Sequence, residues 1–107
     1  MADGKLGSAD LAATTNTVVY TPPSGKFACV SVNICNRNST NAKVRLALSS
    51  SGTSTPAASE WIEYDRLVAN GLPVERTGLI LNYGDRLIVY SDSANVSVMV
   101  DGFEAVP

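Results

Sequence analysis

The chain of 107 residues is long enough for one domain, and its 45% hydrophobic and 17% charged residues are typical of a folded globular protein. Its net charge is −2 and its eight basic residues are scattered, which argues against binding to nucleic acid. No apolar run approaches a membrane span, and the opening sequence MADGKLGSAD lacks the apolar segment of a secretory signal. We therefore expect a protein made as a soluble cytosolic product, with no nucleic acid and no membrane as partner.

The first predicted element is an extended N-terminal arm at residues 1–16, which precedes a β-sandwich domain at residues 17–107. The arm is polar, with Leu6 and Leu11 as its apolar anchors. Such an arm either lies on a neighbouring molecule or frays without contacts, and composition favours neither alternative.

The next segments alternate with the period of a β-strand. Residues 18–21 are one candidate strand. Within residues 27–35 the even-numbered positions are apolar, and the odd-numbered positions from 29 to 35 are small or polar, which predicts a half-buried strand. Residues 43–48 alternate in the same way, with a cationic outer face, and the turn cluster NRNSTN between the two segments predicts a hairpin.

Short segments rich in β-branched or aromatic residues continue to the C-terminus. They lie at 61–64, 74–77, 79–81, 87–91 and 96–103. The turn sequences between them include Gly71, Gly84 and Asn95, which suit positive-φ or Asx-turn positions. About eight strands and no helical period predict an all-β fold, an antiparallel β-sandwich of the jelly-roll or immunoglobulin-like type.

Two cysteines, Cys29 and Cys35, fall on the same side of one predicted strand, about 20 Å apart at the usual rise per residue. A disulfide needs Cα atoms within about 7 Å, so a regular strand excludes a bond between them. Neither the spacing nor the lack of histidine fits a zinc site, and a reactive thiolate would depend on Lys43 or Arg45 of the facing strand. Small residues packed on a sheet are the favoured interpretation, while a disulfide to a neighbouring subunit stays open.

The chain contains no histidine, which excludes the Ser-His-Asp and Cys-His arrangements of nucleophilic catalysis. Its carboxylates are spread singly, mostly at strand ends and turns, where they normally cap or are solvated. The sequence therefore predicts no catalytic residue, no metal ligand and no cofactor, and a protein that is not an enzyme.

The segment EWIEYDRLVANG combines aromatic, acidic and arginine side chains, a composition favoured at the centres of interfaces. Trp61 and Ile62 must face opposite sides of a strand, so one of them is left outside the domain's own core. An interface and a core aromatic beside a solvated loop both stay open. Partner contacts are expected at residues 1–16, at the long loop 49–59 and at 61–66. The predicted interface residues are Leu6, Leu11, Trp61, Tyr64 and Arg66.

Three stretches, YTPPSGKFACVSVNICNRN, EWIEYDRLVANGLPVERTGLIL and SDSANVSVMVDGFE, resemble small virion structural proteins of tailed bacteriophages, in particular of cyanophages and related marine phages. The resemblance covers nearly the whole chain and brings no catalytic motif with it. It implies a component of the virion, either a cement (decoration) protein that binds the major capsid protein on the outer head surface as a homotrimer, or a tail, neck, baseplate or fibre component. A carbohydrate-binding module, with Trp61 or a tyrosine stacked on a sugar, is a further alternative.

Overall fold

The computed structural model describes residues 3–50 and 54–107, which form eight β-strands and one short 3-10 helix. The strands are β1 Asp3–Leu11, β2 Thr17–Tyr20, β3 Phe27–Asn36, β4 Ala42–Ser49, β5 Trp61–Val68, β6 Pro73–Leu81, β7 Arg86–Ser91 and β8 Val96–Ala105, and the helix is Ala58–Glu60. They make two antiparallel sheets, sheet A in the order β1-β8-β3-β6 and sheet B in the order β2-β7-β4-β5. The predicted all-β sandwich is confirmed. Within these residues no helix has the length and apolarity needed to cross a membrane.

The strand pairs are nested along the chain: β1 pairs with β8, β2 with β7, β3 with β6 and β4 with β5. Apart from the link between β4 and β5, each connection passes from one sheet to the other. The predicted hairpin of residues 27–35 with 43–48 is therefore wrong, because β3 lies in sheet A and β4 in sheet B. The turn sequence between them crosses one end of the sandwich.

A buried asparagine fixes this crossing. The side-chain amide of Asn36, which is fully buried, donates to the carbonyl oxygens of Thr40 at 2.9 Å and Val68 at 3.0 Å. Its side-chain oxygen accepts from the backbone N–H of Asn38 at 2.9 Å. These bonds hold the turn after β3 against the end of β5, so the chain leaves sheet A and enters sheet B without exposing the core.

The core lies between the two sheets and follows the predicted alternation. In β3 the even-numbered side chains are buried and the odd-numbered ones face outward, as expected. Sheet B contributes fully buried Leu46 and Leu87, and sheet A contributes Leu81 and Val100. Each large apolar side chain buried in this way stabilises the fold by about 1.5–3 kcal/mol relative to exposure.

The segment predicted as an arm differs most from expectation. Residues 1 and 2 lie outside the described residues, and from residue 3 onward the chain forms β1, which pairs with β8 over its whole length at the edge of sheet A. Gly7 permits the close passage of β1 along β2, because a Cβ there would lie 2.5 Å from the carbonyl oxygen of Val19. The sequence DGKLGSADL is poor in strand-forming residues, so pairing with β8 makes it a strand.

The four edge strands differ from the four central ones in regularity. The central pairs β3–β8 and β4–β7 keep an uninterrupted register. Each of the other ladders is interrupted by extra residues that lie in the edge strand. They are Leu6 in β1, Val19 in β2, Ile62 and one of residues 64–65 in β5, and one of residues 77–78 in β6. Bulges twist an edge strand and make it a poor template for pairing with another chain.

One of these bulges explains how the predicted strands compare with the observed ones. The segments 74–77 and 79–81, predicted as separate strands, are two halves of β6, and Gly78, with a φ of 73°, is part of the bulge between them. The predicted number of eight strands agrees with the structure because β1 is gained where two predicted strands become one.

Candidate docking faces

The outer face of sheet B carries a stack of aromatic and charged side chains around Arg45. The guanidinium carbon of Arg45 lies 4.1 Å from the ring centroid of Tyr64 and 4.6 Å from that of Tyr90. Its Nε donates to a carboxylate oxygen of Asp65 at 2.6 Å, which raises the pKa of Arg45 and lowers the pKa of Asp65. The ring of Trp61 meets that of Tyr64 edge-on, with 5.4 Å between centroids. We call these five residues the Arg45 cluster.

Bulges in β5 assemble this cluster. Trp61 and Tyr64 are three residues apart, so a regular strand would place them on opposite faces. Ile62 is an extra residue that packs against the core, and residues 64–65 together lie opposite Arg45. Asp65 has a φ of 53°, a left-handed conformation that aspartate tolerates better than most residues. Trp61 and Ile62 therefore face opposite sides, as predicted, and Tyr64 joins Trp61 outside.

A loop covers the remainder of this face. The connection between β4 and β5 reaches Asn16, whose amide donates to the carbonyl oxygen of Ser54 at 3.1 Å. Asn16 precedes β2, at the edge of sheet B opposite β5, so residues 54–60 of the loop must cross β7 to reach β5. Ile88 of β7 and Ala47 of β4 point away from the core and are nevertheless fully buried. The loop therefore acts as a lid on the outer face of sheet B.

Glu60 holds the base of this loop. Its carboxylate accepts from the backbone N–H groups of Ser50 and Ala57, each at 2.8 Å, and these bonds lower the pKa of Glu60. Residues 51–53, within the predicted contact loop 49–59, lie outside the described residues.

Arg66, another predicted interface residue, lies where the two sheets meet. The carboxylate of Glu63 in β5 is 3.4 Å from Nη1 of Arg66 and 3.2 Å from Nη1 of Arg76 in β6. Both arginines are about half exposed, and ion pairs of this kind contribute little to stability. Leu67 and Leu72 are exposed at the same margin.

The outer face of sheet A is uncovered in the described part of the chain. Ile80 of β6, Cys29 of β3 and Phe103 of β8 stand side by side across the sheet. Ile80 is 63% exposed and Phe103 is 44% exposed. We call these three residues the ridge.

A shallow groove of about 720 Å³ lies toward the other end of the same face. Its lining includes Pro73 of β6, Cys35 of β3, and Ser97 and Met99 of β8. Arg37 and Asp10, which form an ion pair, also line it. The two free cysteines thus lie on one face, at the ridge and in the groove, about 20 Å apart along an uninterrupted strand.

Leu6 and Leu11 do not lie on either outer face. Leu11 is 2% exposed in the core, and Leu6 packs against the core from its bulge. In the described chain both predicted arm residues stabilise the sandwich itself, because β1 is part of sheet A.

Inside the sandwich, one acidic side chain is hydrogen-bonded between the sheets. The hydroxyl of Tyr20 in β2 donates to Glu104 in β8 at 2.5 Å, and both residues are buried. Burial and this hydrogen bond raise the pKa of Tyr20. Among the described residues no group of three or more His, Cys, Asp and Glu side chains is placed to hold a metal ion.

Comparison with known proteins gives few matches. No model of a known protein family matches the chain, and no curated protein matches it. Among solved structures, the chain is similar to a pentameric capsid protein isolated from metagenomic phage sequences, with a TM-score of 0.43 and 20% sequence identity. The similarity covers 94% of this chain and 64% of that chain, so the chain spans less than two thirds of that protein's length.

Proposed function

We propose that this chain is a non-enzymatic structural protein of a tailed-phage particle, which binds the outer surface of the head as an oligomer and stabilises the shell. The observation that carries the proposal is the exposure of Ile80, Met99 and Phe103 on the outer face of sheet A, in a sandwich whose edge strands are all bulged. Bulged edges disfavour strand addition, so assembly contacts would use a face. Exposed apolar patches mark such contacts.

The connectivity supports this proposal. Nested pairing of the first strand with the last, and so on inward, is the arrangement of a jelly roll, whereas immunoglobulin-like sandwiches divide their strands differently. Jelly rolls are frequent in viral capsid proteins. The sequence resemblance to small virion proteins of tailed phages points the same way.

Physically, the subunit would act through repeated weak contacts. A shell offers many equivalent sites, and a second contact by an already tethered oligomer occurs at high effective concentration. Any ligand that binds the assembled shell better than its separated parts stabilises the assembled form by mass action. The outer face of sheet A and the exposed margin around Arg66 are the proposed contact surfaces, and the resemblance favours a trimer as the bound form.

Stacking on a sugar has less support. The ring of Tyr64 is already stacked against Arg45, and Trp61 contacts the ring of Tyr64. A carbohydrate would have to displace these contacts.

The test is binding of the purified protein to heads of the phage that encodes it. We expect saturation at a fixed ratio to the major capsid protein and a higher disassembly temperature of the saturated heads. Electron microscopy with a gold-labelled subunit should place it on the head. Label confined to the tail, neck or fibres would replace the head assignment, and absence from the particle would refute the proposal.

A further inference from the structure

The turn between β5 and β6 contains the sequence Asn70-Gly71. Asn70 is the one asparagine of the chain that a glycine follows. An asparagine in this position is prone to spontaneous deamidation, because glycine has no Cβ to shield its backbone nitrogen. That nitrogen attacks the amide carbon of the asparagine side chain. The side chain of Asn70 is exposed, so water can reach it to complete the reaction.

The backbone conformation of the turn opposes this attack. The N–H of Leu72 donates to the carbonyl oxygen of Ala69 at 3.1 Å. Gly71 has a φ of 73°, whereas the φ of Asn70 is negative. These features define a type II turn, in which the ψ of the first central residue is about +120°. At that ψ the Gly71 nitrogen and the Asn70 Cβ are about 120° apart around the Cα–C bond, whereas ring closure needs them nearly eclipsed.

Buried Asn36 of β3 holds the turn in this conformation. The N–H of Gly71 donates to the backbone carbonyl oxygen of Asn36 at 2.9 Å, and the backbone N–H of Asn36 donates to the carbonyl oxygen of Leu72 at 3.3 Å. The side-chain amide of Asn36 also donates to the carbonyl oxygen of Val68 at 3.0 Å. The first of these bonds occupies the N–H whose proton must leave when the nitrogen attacks. Asn36 therefore restrains both the position and the reactivity of the Gly71 nitrogen.

We propose that Asn70 is a modification site that the closed turn protects, and that it deamidates when the bonds to Asn36 open. The Gly71 nitrogen forms a bond to Cγ of Asn70. The side-chain nitrogen leaves with the proton from Gly71 as ammonia, and a succinimide ring results. Water then opens the ring at either carbonyl carbon, which gives aspartate or isoaspartate at position 70.

The two products differ in their effect on the turn. Aspartate adds one negative charge at an exposed position. Isoaspartate adds the same charge and also lengthens the backbone between positions 70 and 71 by one atom. A lengthened turn cannot keep both its internal hydrogen bond and its bonds to Asn36. Since the side chain of Asn36 also holds the turn after β3, through the carbonyl oxygen of Thr40, the change extends to the crossing between the sheets.

Deamidation of the full-length chain, folded and unfolded, tests the protection. The unfolded sample contains guanidinium chloride and the folded sample an equal concentration of sodium chloride, in the same mildly alkaline buffer. Mass spectrometry of the peptide that contains residue 70 follows the conversion over time. We expect conversion to be slower in the folded chain by a factor of about ten or more, because the reaction proceeds only through the open fraction. Similar rates in the two samples would overturn the proposal.

Two variants distinguish opening of the turn from general loosening of the fold. Asn36→Ala removes the side-chain bonds to Val68 and Thr40, whereas Ile88→Ala leaves a cavity in sheet B. At a temperature at which both variants are folded by circular dichroism, we expect faster deamidation in Asn36→Ala and the native rate in Ile88→Ala. Equal acceleration in both, or in neither, contradicts the role assigned to Asn36.

Hydrogen exchange at the Gly71 amide gives a second measure that needs no variant. In the native chain it should be slowed, relative to the unfolded chain, by a factor similar to that found for deamidation. Rapid exchange together with slow deamidation would show that another feature protects Asn70.

Asn70→Asp separates the added charge from the added backbone atom. This variant should unfold at the native urea midpoint, whereas the isoaspartate form, purified by ion exchange, should unfold at a lower one. Equal midpoints would contradict the predicted damage to the turn. None of these experiments involves phage heads, so their outcome is independent of the proposed function.

Discussion

The two outer faces of the sandwich differ in how far their apolar side chains are shielded from water. Each sheet leaves an isoleucine pointing away from the core, Ile88 in sheet B and Ile80 in sheet A. Ile88 is fully buried on the face that residues 54–60 cross, whereas Ile80 is 63% exposed. The outer face of sheet B is thus covered by the chain itself, whereas the outer face of sheet A is uncovered among the described residues. The difference shows that an apolar residue on an outer face does not by itself mark an interface.

The largest expected effect separates these two isoleucines. Ile88→Ala should lower the free energy of unfolding by about 2 kcal/mol or more, because it leaves a cavity beneath the loop. Ile80→Ala should change it by less than about 0.5 kcal/mol, because that side chain is mostly solvated. Urea denaturation of dilute protein measures both. Similar small effects at the two positions would mean that the loop does not cover sheet B.

A smaller effect is expected in the Arg45 cluster. Arg45→Met keeps an unbranched apolar stem but removes the ion pair with Asp65 and the charge stacked between Tyr64 and Tyr90. The urea midpoint should fall, but less than for Ile88→Ala. Trp61 is the single tryptophan of the chain, so its fluorescence should report the loosened cluster.

The matched control for that variant is Lys5→Met on sheet A. Lys5 forms no ion pair with another described residue. Its removal should therefore leave both the urea midpoint and the Trp61 fluorescence unchanged. If Arg45→Met behaves like this control, the cluster contributes nothing to the stability of sheet B.

The pH dependence should also distinguish sheet B. The hydrogen bond from Arg45 lowers the pKa of Asp65 in the folded protein below its unfolded value of about 3.9. The stability that this adds is fully present above the unfolded pKa and is lost as the pH falls through the lower folded pKa. Asp65→Asn should therefore flatten part of the acid limb of a stability profile measured by urea denaturation. In an Arg45→Met background the same substitution should have less effect, and an equal effect would rule out the pair as its source.

The sequence predicted well what depends on neighbouring residues. The alternation within β3 and the positive φ angles of Gly71, Gly84 and Asn95 were all confirmed. These features follow from local sterics and from the two-residue period of a strand. Trp61 and Tyr64, which the sequence singled out, both belong to the Arg45 cluster, and their roles as partner contacts stay a prediction.

What the sequence did not predict depends on distant partners. β1 is a strand because β8 lies beside it, and β3 and β4 fail to form a hairpin because Asn36 turns the chain between sheets. The Arg45 cluster depends on bulges in β5, which bring Trp61 and Tyr64 to the same face although they are an odd number of residues apart. A bulge is hard to predict from sequence. Gly78 lies in the bulge of β6, but in the sequence it indicated the boundary between two separate strands.

The smallest expected effect concerns chemical accessibility on the two faces. Cys29 and Cys35 lie half-buried on uncovered sheet A, so both should react with a maleimide in the dilute native protein, and serine at either position should change stability by less than about 0.5 kcal/mol. Ala47 also points outward, but it lies under the loop. In a chain lacking both native cysteines, Ala47→Cys should react only as fast as the loop opens. Fast labelling at position 47 would show that the loop opens readily. The outer face of sheet B would then be as accessible to solvent and reagents as that of sheet A.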